Sequence, residues 1–445
     1  MPIWHGTFFP HLRNMAIIVF HKKTPMHICV LGAGVIGVTT AHQLLQAGHR
    51  VTLIESQAEP GQMTSYGNGA QLSYSYVAPL ADPSVWSKWP HYLFSADSPL
   101  TLKPKFDLAQ WSWLLKFLAA SNAQQVKRTT IDLLQLAFFS RDKLAQMLAA
   151  KPLDFAYRTA GKLVMFTDQA ALGSARSQVE FQAAYGCQQE VISAQRCLEI
   201  EPALAASNRP WAGGVYTASE EAGDCAVFCT QLLDAMQVSE QFHFRPNSSV
   251  SGAVVKENRL HAVSVGGDTI EADRFVLAMG VDSAAFARKL GFTLPVYPLK
   301  GYSITIPVAA DAGSAAPEVS ITDLSRKIVY ARLGNRLRVA GRVEIVGMDR
   351  SIPQRAVQEL ISGTRELFPA CGNLSDGSKL SPWAGFRPAT PTGLPIIGKS
   401  PVGNLYLNVG HGALGWTLAC GSAALLAELI AEKTTTINSQ PYAYP

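Results

Sequence analysis

No part of this 445-residue sequence holds the about 18 consecutive uncharged apolar residues that a helix needs to cross a bilayer. The run from Trp416 to Ala431 comes nearest, but Gly421, Ser422 and Glu428 interrupt it. It reads as a helix packed inside a protein. No secretory signal is legible either. Met15 to Phe20 is a short apolar run followed by His21, Lys22 and Lys23, with no small-residue cleavage site after it. Residues 1–25 are expected to be a disordered extension. Charge of one sign is scarce: Lys and Arg number 38, Asp and Glu 33, and no basic run occurs. That excludes the electrostatic footprint of a nucleic-acid partner. The seven cysteines are odd in number and scattered, which excludes a disulfide framework. Only Cys225 and Cys229 lie close together, and no second pair completes a metal site. Reduced thiols in a cytoplasmic protein fit this usage. Repeats and low-complexity tracts are absent too.

What is present is a globular composition, 48% hydrophobic and 16% charged, in a chain long enough for two or more domains. One stretch organises it. Ile28, Cys29, Val30 and Leu31 form an apolar run with the look of a buried parallel strand. Gly32, Ala33, Gly34, Val35, Ile36 and Gly37 follow in the spacing G-x-G-x-x-G. An amphipathic helix extends to about Ala47, Gly48 stops it, and a second strand, Val51 to Ile54, ends at Glu55. This is a βαβ dinucleotide fingerprint. Gly32 permits the turn out of the strand, Gly34 lets a pyrophosphate approach the backbone, and Gly37 lets helix and sheet pack closely. The helix start offers N–H groups to phosphate, and Glu55 is placed to accept from ribose hydroxyls. NAD and FAD satisfy this motif equally.

The same grammar returns twice. Arg274 to Met279 reads as a buried strand closed by Gly280, with a helix after it. Asn404 to Val409 reads as a strand followed by Gly410, His411, Gly412 and Gly415, then a helix from about Thr417. Between these lie helices at Asp107–Ala120, Val126–Ala150 and Gln169–Tyr185, a strand pair within Phe155–Thr167, and alternating strands from Tyr297 to Val346. The expected fold is α/β (α+β overall). A discontinuous Rossmann-like nucleotide domain spans 26–80, 220–292 and 385–438. An inserted antiparallel-sheet-plus-helix substrate domain spans 81–219 and 293–384.

Six motifs carry a likeness to a known family: GAGVIG at Gly32, TSYGNGAQ at Thr64, PLKGYSIT at Pro298, RVAGRVEIVGMD at Arg338, WAGFRPATPTGLPIIG at Trp383 and NVGHGALGWTLACGS at Asn408. With them the chain resembles the small-subunit type of D-amino-acid dehydrogenase, within the FAD-dependent amino-acid oxidase group, from Met26 to about Asn438. Thr392 stands where that family usually has Asp, and Val409 and Ala413 where it often has Thr. The resemblance implies non-covalent FAD and oxidation of a D-amino acid to an imino acid that water hydrolyses. It also implies electron transfer to a quinone-type acceptor and peripheral association with the inner face of the cytoplasmic membrane. A D-proline or hydroxy-D-proline dehydrogenase, or an oxidase of glycine or sarcosine type, belongs to the same group. A non-catalytic flavin binder, or a flavin domain that modifies nucleic acid, is the reading from another class.

Within that resemblance Arg387, in GFRP, matches the position that clamps the substrate carboxylate, a task suited to a planar bidentate guanidinium; an ordinary ion pair is its plainer reading. Tyr330 loosely matches a tyrosine that touches the same carboxylate, and a core strand residue is the alternative. His411 belongs to a turn that approaches the flavin ring in this family; a histidine hydrogen-bonded in a tight turn is the alternative. Lys300 and Tyr302 are candidates for lining the site. Ser65, Asn68, Gly69 and Gln71 are expected against the cofactor, with Gly280, Gly412, Gly415, Trp416 and Thr417 nearby. With no disulfide expected, titration of the denatured protein without reductant should count all seven thiols; fewer would reveal a bridge.

Overall fold

The computed structural model describes residues 25–83, 100–207, 209–308, 315–372, 374 and 380–445. The extension expected over residues 1–25 lies outside them apart from Pro25. His27–Leu31 pairs in parallel with Arg50–Ile54 on one side and Arg274–Leu277 on the other. These strands belong to a six-stranded sheet in the order Ile396–Lys399, Leu405–Val409, Arg274–Leu277, His27–Leu31, Arg50–Ile54, Phe242–Arg245. Only the edge strand Ile396–Lys399 runs antiparallel to its neighbour. Both faces are buried. Ile28, Val30 and Leu53 pack towards the helices Val35–Gln46, Cys225–Gln237 and Gly415–Ile430. Cys29, Leu31 and Ile54 pack towards a three-stranded meander and the helix Ser283–Lys289. Burial on both sides is why these strands read as unbroken apolar runs. The meander turns at Glu257 and Asn258, both left-handed at φ 48° and 56°, as a two-residue hairpin loop requires.

A larger sheet holds the substrate side. Its order is Ser381–Ala389, Tyr297–Pro307, Arg336–Ile345, Ile328–Leu333, Ser320–Asp323, Lys162–Phe166, Gly213–Thr217, Glu190–Ser193, with Leu100–Leu102 also paired to Arg336–Ile345. Most neighbours are antiparallel. The helix Gln354–Leu367 covers one face, burying Leu360 and Leu367 against Ile304, Tyr330 and Val339. The opposite face turns towards the nucleotide domain.

Three expectations need correction. Ser381–Ala389 is a strand of the larger sheet, so the boundary expected at residue 385 falls inside it. The helix Ala123–Ala150, assigned above to the substrate domain, buries Leu133, Leu136 and Ala137 in the nucleotide-domain core with Leu418 and Leu425. An apolar stripe announces a buried face without saying which neighbour buries it. The strand pair expected within Phe155–Thr167 is one strand, Lys162–Phe166. Among the described residues one segment, Gly412–Ile430, is long and apolar enough to cross a membrane, but most of it is buried inside the protein.

The crossing of Ala123–Ala150 over Gly415–Ile430 rests on Gly421, where a Cβ would lie 2.8 Å from the Ser140 Cα. Gly421→Ala should therefore destabilise the fold by about 1–3 kcal/mol in denaturant titration. Gly173→Ala, in a helix with nothing within 4 Å of an added Cβ, should instead stabilise it by about 0.5–1 kcal/mol.

Candidate active site

The nucleotide end is built on close backbone approach. Gly32 has φ +100°, and a Cβ there would sit 2.7 Å from the Ala278 carbonyl oxygen. At Gly37 a Cβ would fall 1.7 Å from the Gly32 oxygen, so helix and turn are in contact. Gly34 differs: its nearest neighbour is the Ser65 Oγ at 3.6 Å, which leaves open space on the side a pyrophosphate would approach. The helix Val35–Gln46 has no side-chain cap and no acid in its first turn. Ser65 accepts from the Val35 N–H at 3.0 Å. Glu55, almost fully buried, accepts from the Ala33 N–H at 2.7 Å and, through its other oxygen, from Gln57 N–H and Ser56. Its carboxylate is thus fixed beside the glycine turn. Ile28, Cys29, Val30, Leu31, Ala33 and Val35 are buried core residues, and Ile36 packs against the same core; they shape the backbone, and no side chain among them reaches for a ligand.

The reactive end follows from strand parity. Tyr297–Pro307 and Ser381–Ala389 pair antiparallel, with Leu299 opposite Arg387, Gly301 opposite Gly385, and Ser303 opposite Trp383. Side chains alternate between faces, so Leu299, Gly301, Ser303 and Arg387 share one. The Arg387 guanidinium lies over Gly301, where a Cβ would come within 2.5 Å of Nη2. Arg387 is half-buried, and burial lowers its pKa to about 10, still cationic at neutral pH. Among the described residues no carboxylate pairs with it. Its Nη1 donates to the Arg342 carbonyl at 3.0 Å. That carbonyl is available because the ladder is irregular between Lys300–Glu344 and Tyr302–Gly341, and Arg342 is left-handed at φ +59°.

Ala389, two residues on from Arg387, forms an isolated antiparallel bridge with His411. The imidazole is 2% exposed, and neither ring nitrogen has a partner among the described residues. Burial pushes its pKa down to about 3, so the ring is neutral at neutral pH. Buried polar atoms normally find partners, and two on one ring mark a place where another molecule completes the structure. Gly412 has φ +55° with open space beside it, and the helix beginning at Gly415 carries no side-chain cap and no first-turn acid. Gly280, φ +56°, also faces open space at the end of its strand.

Between the two ends runs Thr64 to Tyr76, which the larger sheet pins in place. Arg338, a buried residue not singled out in the sequence, donates to the Tyr66 and Asn68 carbonyls at 3.2 and 3.0 Å and to Thr305 at 2.9 Å. Ser303 donates to the Gly67 carbonyl and Thr64 to the Phe386 carbonyl, both at 2.7 Å. The Trp383 indole lies against Gly67 and Gly385, where a Cβ would come within 2.3 and 2.0 Å of it. At Gly69 a Cβ would lie 3.1 Å from Val329. Parity would have found Arg338, a cation inside an apolar strand on the face of Thr305.

Several expected residues are placed otherwise. Tyr330, Tyr302 and Lys300 fall on the opposite face from Arg387. Tyr330 is fully buried against Phe368, ring centroids 5.3 Å apart, beside the helix Gln354–Leu367. Tyr302 donates to Glu344 at 2.6 Å, and Lys300 lies 3.7 Å from Asp349. The structure does not bring them to the clamp, because a residue one position away on a strand points through the sheet. The Trp416 indole turns into the core between Phe155 and Phe228 and donates to the Gly223 carbonyl. Gln71 bridges the Ile321 and Tyr330 carbonyls and accepts from Lys162. The Asn68 Oδ1 closes a local turn on the Ala70 N–H, and Thr417 accepts from the Ser73 N–H. All of these tie segments together.

Among the described residues the features left open fit FAD: a glycine cradle at a helix start whose own N-cap residue, Gly34, has no side chain, an acid beside it, and at the far end a neutral imidazole without a partner and a guanidinium without a carboxylate. Comparison with known proteins agrees. Residues 27–429 match the family described as FAD dependent oxidoreductase (DAO). D-amino acid dehydrogenase 2 of Ralstonia nicotianae is 48% identical over 422 residues, 94% of this chain and 99% of that protein. The protein of the same name from Pseudomonas aeruginosa is 46% identical over 93% of this chain and 96% of its own. Among solved structures, glycine oxidase from Geobacillus kaustophilus superposes with a TM-score of 0.72 at 20% identity, covering 95% of this chain and 98% of its own. L-proline dehydrogenase from P. horikoshii superposes at 0.71 and 17% identity over 94% and 96%. The last two show the fold alone.

The histidines also set the acid limb of stability. Burial lowers His411 to about 3 and His42 to about 4, whereas the unfolded chain protonates both at about 6.5. Below that pH the unfolded state binds more protons. Stability should fall between about pH 6.5 and 4, by up to about 1.4 kcal/mol per pH unit for each histidine. Urea titrations of His411→Asn should show that slope reduced by one proton.

Proposed function

The chain belongs to the FAD-dependent oxidoreductase family, and from that premise we propose that it deaminates D-amino acids oxidatively to 2-oxo acids and ammonia. The observation that carries this reading is the Arg387 guanidinium, which lies over Gly301 without a carboxylate partner among the described residues. A half-buried cation without a carboxylate partner among the described residues calls for an anion, and an α-carboxylate matches its fork. The substrate's stereochemistry rests on the relatives, both named D-amino acid dehydrogenases.

In this reading Gly32, Gly34 and the start of Val35–Gln46 hold the pyrophosphate, and Glu55 the ribose. When bound, FAD supplies a two-electron acceptor at the far end of the cleft. Arg387 anchors the carboxylate so that the α-hydrogen points at that acceptor. FAD so held would accept the α-hydrogen with its C–H electron pair as a hydride, the neutral amine's lone pair forming the C=N bond. Water then hydrolyses the imino acid. His411, neutral and without a partner among the described residues, would contact the bound flavin, and the N–H groups at Gly412 to Gly415 would favour negative charge on it. Tyr330 has only a structural part. The electrons pass to a quinone-type acceptor, which the protein reaches as a peripheral component on the inner face of the cytoplasmic membrane.

Arg387→Leu should retain flavin by visible absorbance and raise the KM for D-alanine about 100-fold, as expected when two charge-assisted hydrogen bonds are lost. Arg387→Lys should recover part of it. The same preparation, offered D-alanine, D-proline, glycine and sarcosine with a dye or with oxygen, tests the substrate class. Turnover of glycine or sarcosine with peroxide release, and none of D-alanine with dye, would overturn the dehydrogenase reading.

A further inference from the structure

The helix Leu108–Ala120 has two apolar faces. One is accounted for: Trp113, Leu114, Phe117 and Ala120 are buried with Tyr297, Leu299 and Ala389. The other is not. Leu108 is 89% exposed, Trp111 45% and Leu115 67%, and Phe106, just before the helix, is fully exposed. Positions 108, 111 and 115 align along one stripe of a helix. Isolated exposed apolar residues need no explanation, but four large ones within ten residues, on one stripe and its lead-in, form a patch.

The surroundings of the patch are cationic. Lys103, Lys105 and Lys116 are exposed at its margins, and between residues 100 and 131 the only acid is Asp107. That carboxylate caps the helix through the Ala109 N–H and accepts from the Tyr297 hydroxyl. On the neighbouring loop Asp349 faces Lys300 and caps the Ser351 N–H. The lead-in is fastened to the helix: Trp111 Nε1 donates to the Lys105 carbonyl at 3.0 Å, while Gln110 accepts from the Lys105 N–H at 2.7 Å and donates to the Lys103 carbonyl at 3.2 Å.

We propose that Phe106, Leu108, Trp111 and Leu115, rimmed by Lys103, Lys105 and Lys116, seat the protein on an anionic lipid bilayer. Apolar side chains on an in-plane helix sink below the headgroups, tryptophan favours the interface, and lysines pair with lipid phosphates. Protruding side chains suit a fluid surface better than a rigid partner, which would need a pocket for each. The inner face of the same helix leads to the candidate site. Trp113 Nε1 donates to the Ala389 carbonyl at 2.8 Å, and Ala389 bridges to His411 two residues from Arg387. Seating this face on a bilayer would hold that site about one helix diameter, roughly 10 Å, from the lipid. The inference rests on the proposed delivery of electrons to a membrane quinone and identifies the surface that serves it.

The test uses the full-length protein loaded with FAD. Co-sedimentation is measured with vesicles of phosphatidylcholine alone and with vesicles containing phosphatidylglycerol, at low and high salt. Wild type should bind the anionic vesicles at least about tenfold better, less so at high salt. Phe106→Glu/Leu115→Glu and Lys105→Glu/Lys116→Glu should each lose that binding. Both should keep dye-linked turnover of D-alanine while losing reduction of vesicle-embedded quinone. Wild type that fails to bind, or variants that bind as wild type does, would overturn the proposal. So would light scattering that shows a wild-type dimer split by Phe106→Glu/Leu115→Glu, which would assign the face to a second copy. Absent dye-linked turnover in wild type would sink the functional reading instead, and sedimentation would still decide the surface.

Discussion

A guanidinium held inside a protein must meet an anion or pay a desolvation cost of several kcal/mol. Arg387 meets none among the described residues, and burial lowers its pKa while leaving it charged. Much of the neighbouring structure accommodates that one group. Gly301 has no side chain, so the guanidinium can lie on its backbone. A bulge turns the Arg342 carbonyl to take one donor. The side chain of Arg342 is tied to Glu344 and Glu359, which anchors the bulge to the helix Gln354–Leu367.

Two sheets meet around this cation, and the segment between them is fixed from the substrate side. Arg338, Ser303 and Trp383 hold the backbone of Tyr66 to Asn68. Lys162, fully surrounded by protein, donates to Gln71 and Ser73 at 2.9 and 2.8 Å. The buried charge of Glu220 supports it, and Glu220 itself accepts from the Tyr74 and Ser75 N–H groups. The loop expected to lie against the cofactor is therefore a seam of polar ties to the larger sheet. Such fully satisfied buried networks specify one arrangement rather than adding much net stability.

The parts legible in the sequence were those whose meaning is local. The glycine spacing, the acid closing the second strand and the strand beginning at Tyr297 each depend on a few adjacent residues. Errors arose where a side chain's direction depended on a distant partner. Tyr330, Tyr302 and Lys300 lie on strands as expected, but the ladder running from Ser381–Ala389 through Tyr297–Pro307 and Arg336–Ile345 to Ile328–Leu333 assigns them to the face away from Arg387. Trp416 begins the right helix and points into the core, because Phe155 and Phe228, nearly 200 residues or more before it, make an aromatic pocket there.

By itself the sequence determined a nucleotide-binding βαβ unit, and through the resemblance of its motifs to a known family it pointed to a flavin amino-acid enzyme. The first follows from short-range backbone chemistry: where a glycine is needed, where a helix starts, which run is buried on both faces. Only the tertiary structure decided that Arg387 lies over Gly301 with no carboxylate partner among the described residues, that His411 finds no partner among them for either ring nitrogen, and that Ala123–Ala150 belongs to the nucleotide core. Each depends on which strand lies beside which and on one-residue parity in that pairing. Period-two alternation separates the two faces of a strand but cannot say which face meets the cofactor.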